Sequence, residues 1–302
     1  MADRKHQFLD PKVLNKITRL DLKARHIVEG FVSGMHKSPY HGFSVEFAEH
    51  REYSPGDDLK HLDWKVFGRT DRLMIKEYEL ETNLRSHILL DTSESMNYGS
   101  GDQTKLELAC HIAASMAYLI LRQQDSVGMV CFDKEVKSFI PASSAMGHLR
   151  PILGTLGQAV AKNKTDLGAV FHSLAERFHQ RGMVIVISDL FDKPETILKG
   201  LQHFSHMRHD VIVFHVMDAA ELTFPFDRMT LFEGLEEYPK LLVDPRALRR
   251  AYLEEVEKFC DELRKGCVKQ SIDYVRISTD QALDVELSKY MASRLSIRGH
   301  LS

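Results

Sequence analysis

The chain has 302 residues, 43 % of them apolar, which is enough to bury a sizeable core. Its 40 basic and 43 acidic residues give a net charge of −3, which excludes a global pull toward nucleic acid or an anionic membrane. No apolar run is long enough to cross a bilayer, and the opening Met1-Ala2-Asp3-Arg4-Lys5-His6 has no apolar signal core, so a cytoplasmic location is expected. The four cysteines, Cys110, Cys131, Cys260 and Cys267, form no Cys-x-x-Cys pair and read as buried, reduced thiols.

Residues 11–29 have helical spacing (Val13, Leu14, Ile17, Leu20, Ile27, Val28), with Asp10-Pro11 as the start signal. Periodicity is lost from Gly30 to about Glu81, where short strands and turns are expected, with a turn at Ser54-Pro55-Gly56-Asp57. Within this stretch Asp57, Asp58 and Asp63 lie near Arg51, Arg69 and Arg72. The mixed charges read as a turn with ion pairs before a second acidic site. Trp64, the only tryptophan, is expected to be a buried packing anchor.

After His87 strands and helices alternate. Strands are expected over 87–91, 126–132, 136–140, 183–189, 210–217 and 271–277. Helices are expected over 105–123, 146–161, 167–179, 194–207, 245–265 and 284–294. The strands are near-continuous apolar runs, as in a parallel sheet covered on both faces. Residues 224–242 read as a hairpin-like insertion, and Tyr252, Val256, Phe259 and Leu263 as the core stripe of a helix. His203, His206 and His209 recur near a helix end, a place that favours histidines electrostatically as well as a possible metal set.

The sharpest local signal is Leu89-Leu90-Asp91-Thr92-Ser93-Glu94-Ser95, an apolar strand ending in a carboxylate followed by two alternate hydroxyls. Thr165 precedes one helix, and Asp189 ends another apolar strand. Ligands of such sheets sit at strand carboxyl ends. An all-oxygen donor set suits a hard divalent cation such as magnesium. An Asp at the end of the first strand also occurs in haloacid dehalogenase-like phosphohydrolases, the alternative reading for Asp91. That chemistry needs a second Asp two residues on, and Ser93 stands there. No phosphate-binding or dinucleotide-binding glycine loop is found.

Asp-x-Ser-x-Ser with a distant Thr and a more distant strand-end Asp resembles the metal-ion-dependent adhesion site of von Willebrand factor A domains. The resemblance implies that Ser93 and Ser95 coordinate the cation directly. It implies the same for Thr165, directly or through water, and for Asp91 and Asp189, directly or through bound water. One open position would accept a carboxylate from a partner protein. The segment Glu46-Phe47-Ala48-Glu49-His50-Arg51-Glu52-Tyr53-Ser54-Pro55-Gly56-Asp57-Asp58, with Leu62-Asp63-Trp64-Lys65 and Gly68-Arg69-Thr70, resembles the signature of domain-of-unknown-function family 58. Members of that family pair it with a von Willebrand A-like domain and are often encoded beside MoxR-type AAA+ ATPases. Many carry N-terminal membrane helices that this sequence does not show. The implied plan is an N-terminal helix and β-rich extension over 1–84 and a doubly wound, mostly parallel von Willebrand A-like domain over 85–302. The implied role is a non-catalytic, magnesium-dependent protein-binding module, with a MoxR-type ATPase or its client as partner.

Overall fold

The computed structural model describes residues 20, 22–25, 44–54, 62–81, 84–232 and 241–299. These fall into two compact units divided between Leu84 and Arg85. The smaller holds residues 44–84; the larger holds the rest and includes the buried Leu20 and Ala24.

In the smaller unit, strand β1 (Ser44–Glu52) pairs antiparallel with β2 (Met74–Glu81), with an irregular register between Phe47 and Glu49. The sequence reading of strands and turns misses a helix here, α1 (Trp64–Thr70). Asp63 starts it: its carboxylate accepts from the Lys65 and Val66 amides at 2.9 and 3.2 Å. Asp63 is thus a helix cap; Asp57 and Asp58 lie outside the described residues. The expectation for Trp64 is also overturned. It is 65 % exposed and touches Phe67 edge-on at 6.2 Å. The buried apolar places belong to Leu62 and Ile75, which are bridged to each other, and Trp64 stands outward at the first helical position.

The larger unit runs β3 (Arg85–Asp91), α2 (Lys105–Arg122), β4 (Ser126–Phe132), β5 (Val136–Ser143), α3 (Leu149–Gln158), α4 (Leu167–Arg177) and β6 (Met183–Ser188). It continues with α5 (Pro194–His206), β7 (Asp210–Met217), α6 (Ala219–Thr223), the small antiparallel pair β8 (Thr230–Phe232) and β9 (Leu241–Val243), α7 (Pro245–Lys269), β10 (Asp273–Ser278) and α8 (Leu283–Gly299). The main sheet has the order β10-β7-β6-β3-β4-β5, all parallel except the edge strand β5.

Both faces are covered. One side packs Leu89, Val130 and Val186 against Phe171 of α4, Leu201 and Phe204 of α5 and Leu263 of α7. On the other, α2 lies against β3, β4, β6 and β7, buried over nearly its whole circumference. The close fit of β6 beside β3 needs Gly182, where a Cβ would lie 2.1 Å from the Arg85 carbonyl oxygen. From β3 the chain winds outward through β4 to β5, then returns to the other side of β3 as β6. The strand order therefore reverses between β3 and β6, and a crevice opens beyond their carboxyl ends. Asp91 ends β3, and Asp189 directly follows β6.

Candidate metal centre

Asp91 is wholly buried. Its Oδ1 accepts from the Ser93 amide at 2.8 Å and faces the Thr165 hydroxyl at 3.4 Å. Its Oδ2 accepts from the Ser188 hydroxyl at 2.6 Å. The Asp91–Ser93 turn redirects the chain into a 3-10 turn (Glu94–Asn97), which brings Ser95 Oγ to 3.1 Å from Ser93 Oγ. Thr92 ties this loop to the end of β4, its amide and hydroxyl both donating to the Phe132 carbonyl at 2.7 and 2.8 Å. The loop that carries Thr165 is stitched to the same place: Lys162 N donates to Thr92 O at 3.0 Å, and Glu94 N to Asn163 O at 2.8 Å. Asp166 then caps α4 through the Ala169 amide.

After β6, Ser188 Oγ accepts from the Leu190 amide at 2.9 Å while donating to Asp91. Leu190 is fully buried with φ of 53°, a left-handed backbone that costs a non-glycine residue energy. That turn sets the direction of Asp189. Its Oδ1 accepts from Phe191 N at 3.3 Å, and its Oδ2 accepts from Lys105 Nζ at 2.8 Å. Lys105 also donates to Glu221 Oε1 at 2.8 Å. The Asp189 carbonyl meets Nε2 of the buried His215 at 3.0 Å.

The electrostatics follow from this geometry. Burial first, and the Asp189 carboxylate second, push the Asp91 carboxyl well above the ordinary carboxylate range, against the hydrogen bonds from Ser188 and Ser93. Burial opposes the charge on Lys105, but Asp189 and Glu221 outweigh it and raise the ammonium above its usual value. Burial also lowers His215 to about 4, so its ring is neutral. The structure thus brings Asp91, Ser93, Ser95 and Thr165 to one point. Asp189 stands beside it, coupled to Asp91 by charge and engaged with Lys105.

A family model described as "Protein of unknown function DUF58" matches residues 49–260. The chain belongs to that family. The uncharacterized protein Mb1516 of Mycobacterium bovis is 24 % identical to this DUF58 chain over 298 residues, 96 % of this chain and 93 % of its own length. Among solved structures, BatB from Bacteroides thetaiotaomicron is 18 % identical, matches 70 % of this chain and 99 % of its own, and has a TM-score of 0.49. The SpRpn10 VWA domain is 12 % identical, matches 67 % of this chain and 92 % of its own, and has a TM-score of 0.39. The larger unit of the DUF58 chain is a von Willebrand A-like domain by its own strand order and antiparallel edge strand. No helix among the described residues is long and apolar enough to cross a membrane.

The donor set of the DUF58 chain fits a hard cation on two counts. Two oxygens bound at right angles, each about 2.1 Å from one magnesium ion, lie about 3 Å apart, and the Ser93 and Ser95 hydroxyls already stand at that spacing. Asp91 is a fully buried carboxylate with hydroxyl and amide donors but no cationic partner among the described residues. The histidine triplet gives no comparable set. His209 is buried between the Gly182 amide and the Phe178 carbonyl, each at 3.2 Å, and no three His, Cys, Asp or Glu side chains converge among the described residues. Sequence reasoning misses Lys105, Ser188 and His215. Lys105 had one legible signal: it opens a helix whose Thr104–Glu107 capping box marks the start, where a cation is disfavoured by the helix dipole.

Proposed function

We propose that this DUF58 protein is a non-catalytic protein-binding module whose binding face is completed by a divalent cation, magnesium in the first instance. Asp91, Ser93, Ser95, Thr165 and Asp189 hold the ion, and the protein works as an adaptor for a MoxR-type AAA+ ATPase or its client. The observation that carries this reading is the uncompensated, buried Asp91 beside two hydroxyls at ligand spacing. A carboxylate in that setting is costly unless a cation neutralises it.

When bound, the ion supplies an electrophilic position for an incoming carboxylate. The chain's own residues do the rest. Ser93 and Ser95 present neutral oxygens, which add no negative charge to that of Asp91 and Asp189. Thr165 is the most open of the five. Thr92 and Ser188 fix the two loops so that no large rearrangement precedes binding. The phosphohydrolase reading finds no support in the site. That chemistry needs a second carboxylate two residues after Asp91, and Ser93, a hydroxyl, stands there.

The test is capture of partners from the native lysate by the intact protein, with magnesium, with chelator, and with Asp91→Asn. The reading requires a MoxR-type ATPase or its client in the first case alone. Equal capture in all three would sink it. A metal-dependent turnover of a generic phosphate ester, lost in Asp91→Asn, would move the assignment to the enzyme class.

A further inference from the structure

The chain itself brings a cation to this crevice. Lys105 is 2 % exposed and ranks among the largest fully buried side chains. Its backbone amide donates to the Tyr98 carbonyl at 2.8 Å, and Thr104 and Glu107 cap the helix that it opens. The ammonium lies 5.9 Å from the centre of the Tyr98 ring and donates to Asp189 and Glu221 at 2.8 Å each. Glu221 in turn accepts from the Asp218 amide at 2.7 Å, so its carboxylate is fixed from the other side. Both Asp189 oxygens are thereby engaged, one by the Phe191 amide and one by the ammonium. A buried lysine at the positive end of a helix is placed against the helix dipole and against desolvation; only the two carboxylates justify it.

We propose that Lys105 is a built-in competitor for the divalent cation: it draws on Asp189, repels the incoming ion, and sets the site to weak, readily exchanged binding. The proposal rests on the metal reading given above. Two arguments support it. Asp189 shared with an ammonium has less charge to give a second cation. A fixed positive charge next to the site also disfavours a divalent ion through like-charge repulsion, which is strong where water is excluded. The same contact keeps the ion-free site in order, because it neutralises one of two neighbouring carboxylates.

The experiment is calorimetric titration of the intact protein with Mn2+, alongside thermal melts with Mn2+ and with chelator. The set is wild type, Asp91→Asn, Lys105→Met, and Lys105→Met combined with Glu221→Gln. The double variant removes one of the two carboxylates that the single change leaves unpaired. Both lysine variants are expected to bind Mn2+ at least about tenfold more tightly than wild type and to gain a larger melting shift from it. A variant that folds only when Mn2+ is present also supports the proposal, since the ion then replaces the lost charge. Wild-type or weaker affinity in both variants overturns the proposal but leaves the metal reading standing, provided that Asp91→Asn abolishes binding. Failure of both variants to fold with or without Mn2+ assigns Lys105 to structure and also overturns it. Absence of Mn2+ binding in wild type and variants alike brings down both readings together.

Discussion

His87 and Asp91 stand on the same central strand, the first partly buried and the second wholly so. At His87 the fold removes the charge. The ring stacks on Phe178 at 3.9 Å, its Nδ1 is buried without a hydrogen-bond partner, and burial, with His209 and Arg85 nearby, lowers its pKa to about 4. At Asp91 the surroundings pull both ways: burial and Asp189 disfavour the anion, while three donors are aimed at it. The first end of the strand is a packing solution. The second is a site left electrostatically unfinished, and its neighbour Asp189 shows the contrast again, since that carboxylate already has its cation in Lys105.

The largest expected effect tests the Asp189 side. In chelator, Lys105→Met should cost about 3–5 kcal/mol of stability by urea unfolding, because it leaves buried carboxylates unpaired. A loss below about 1 kcal/mol would mean that the pair is not a structural tie.

Next comes the His87 end. Its folded pKa is depressed, so the neutral ring is the form that the fold selects. Its contribution is fully present above the ordinary value near 6.5 and is lost as pH falls toward 4, up to about 3 kcal/mol in all. An NMR titration of this ring should give a midpoint near 4; a midpoint near 6.5 would erase the contrast between the two strand ends.

The Asp91 side should respond in the opposite sense to Lys105. Asp91→Asn should leave stability in chelator unchanged or raise it by about 1 kcal/mol, because it removes an unpaired buried charge. It should also abolish the melting shift produced by magnesium. A marked loss of stability in chelator would show that the anion is satisfied as it stands. The smallest stability effects belong to Ser93→Ala and Ser95→Ala, each within about 1 kcal/mol, with cation affinity reduced about tenfold in calorimetry. Unchanged affinity in both would remove the hydroxyls from the coordination sphere.

The fold was legible because its strands are apolar runs that nothing else explains. The strand expected over 126–132 is observed over the same residues, and that over 183–189 ends one residue earlier. The expected helix over 146–161 is shorter, since residues 146–148 form a 3-10 turn and the α-helix spans Leu149–Gln158. The insertion is a short hairpin, as its aromatic and proline content suggested. Helix α1 was illegible because Trp-Lys-Val-Phe-Gly-Arg-Thr has no apolar stripe; its start rests on the Asp63 side chain, which in sequence looks like one more acid in a charged stretch. At the site, hydroxyls next to a strand end could be found from spacing. Spacing does not reveal Lys105: its one signal is an unfavourable place at a helix start, and its partners lie 84 and 116 residues away.

All four cysteines are buried and outside any disulfide, and burial pushes the Cys131 and Cys267 thiols up to about 11 and 12. A thiol in that state does not react with an alkylating reagent until the chain opens. The protein therefore carries four clocks of its own opening: Cys110 on α2, Cys131 on β4, and Cys260 and Cys267 on α7. Counting alkylated thiols over time by mass spectrometry reports opening without any dye or added tag, and it separates the element beside the crevice from the long helix on the far face.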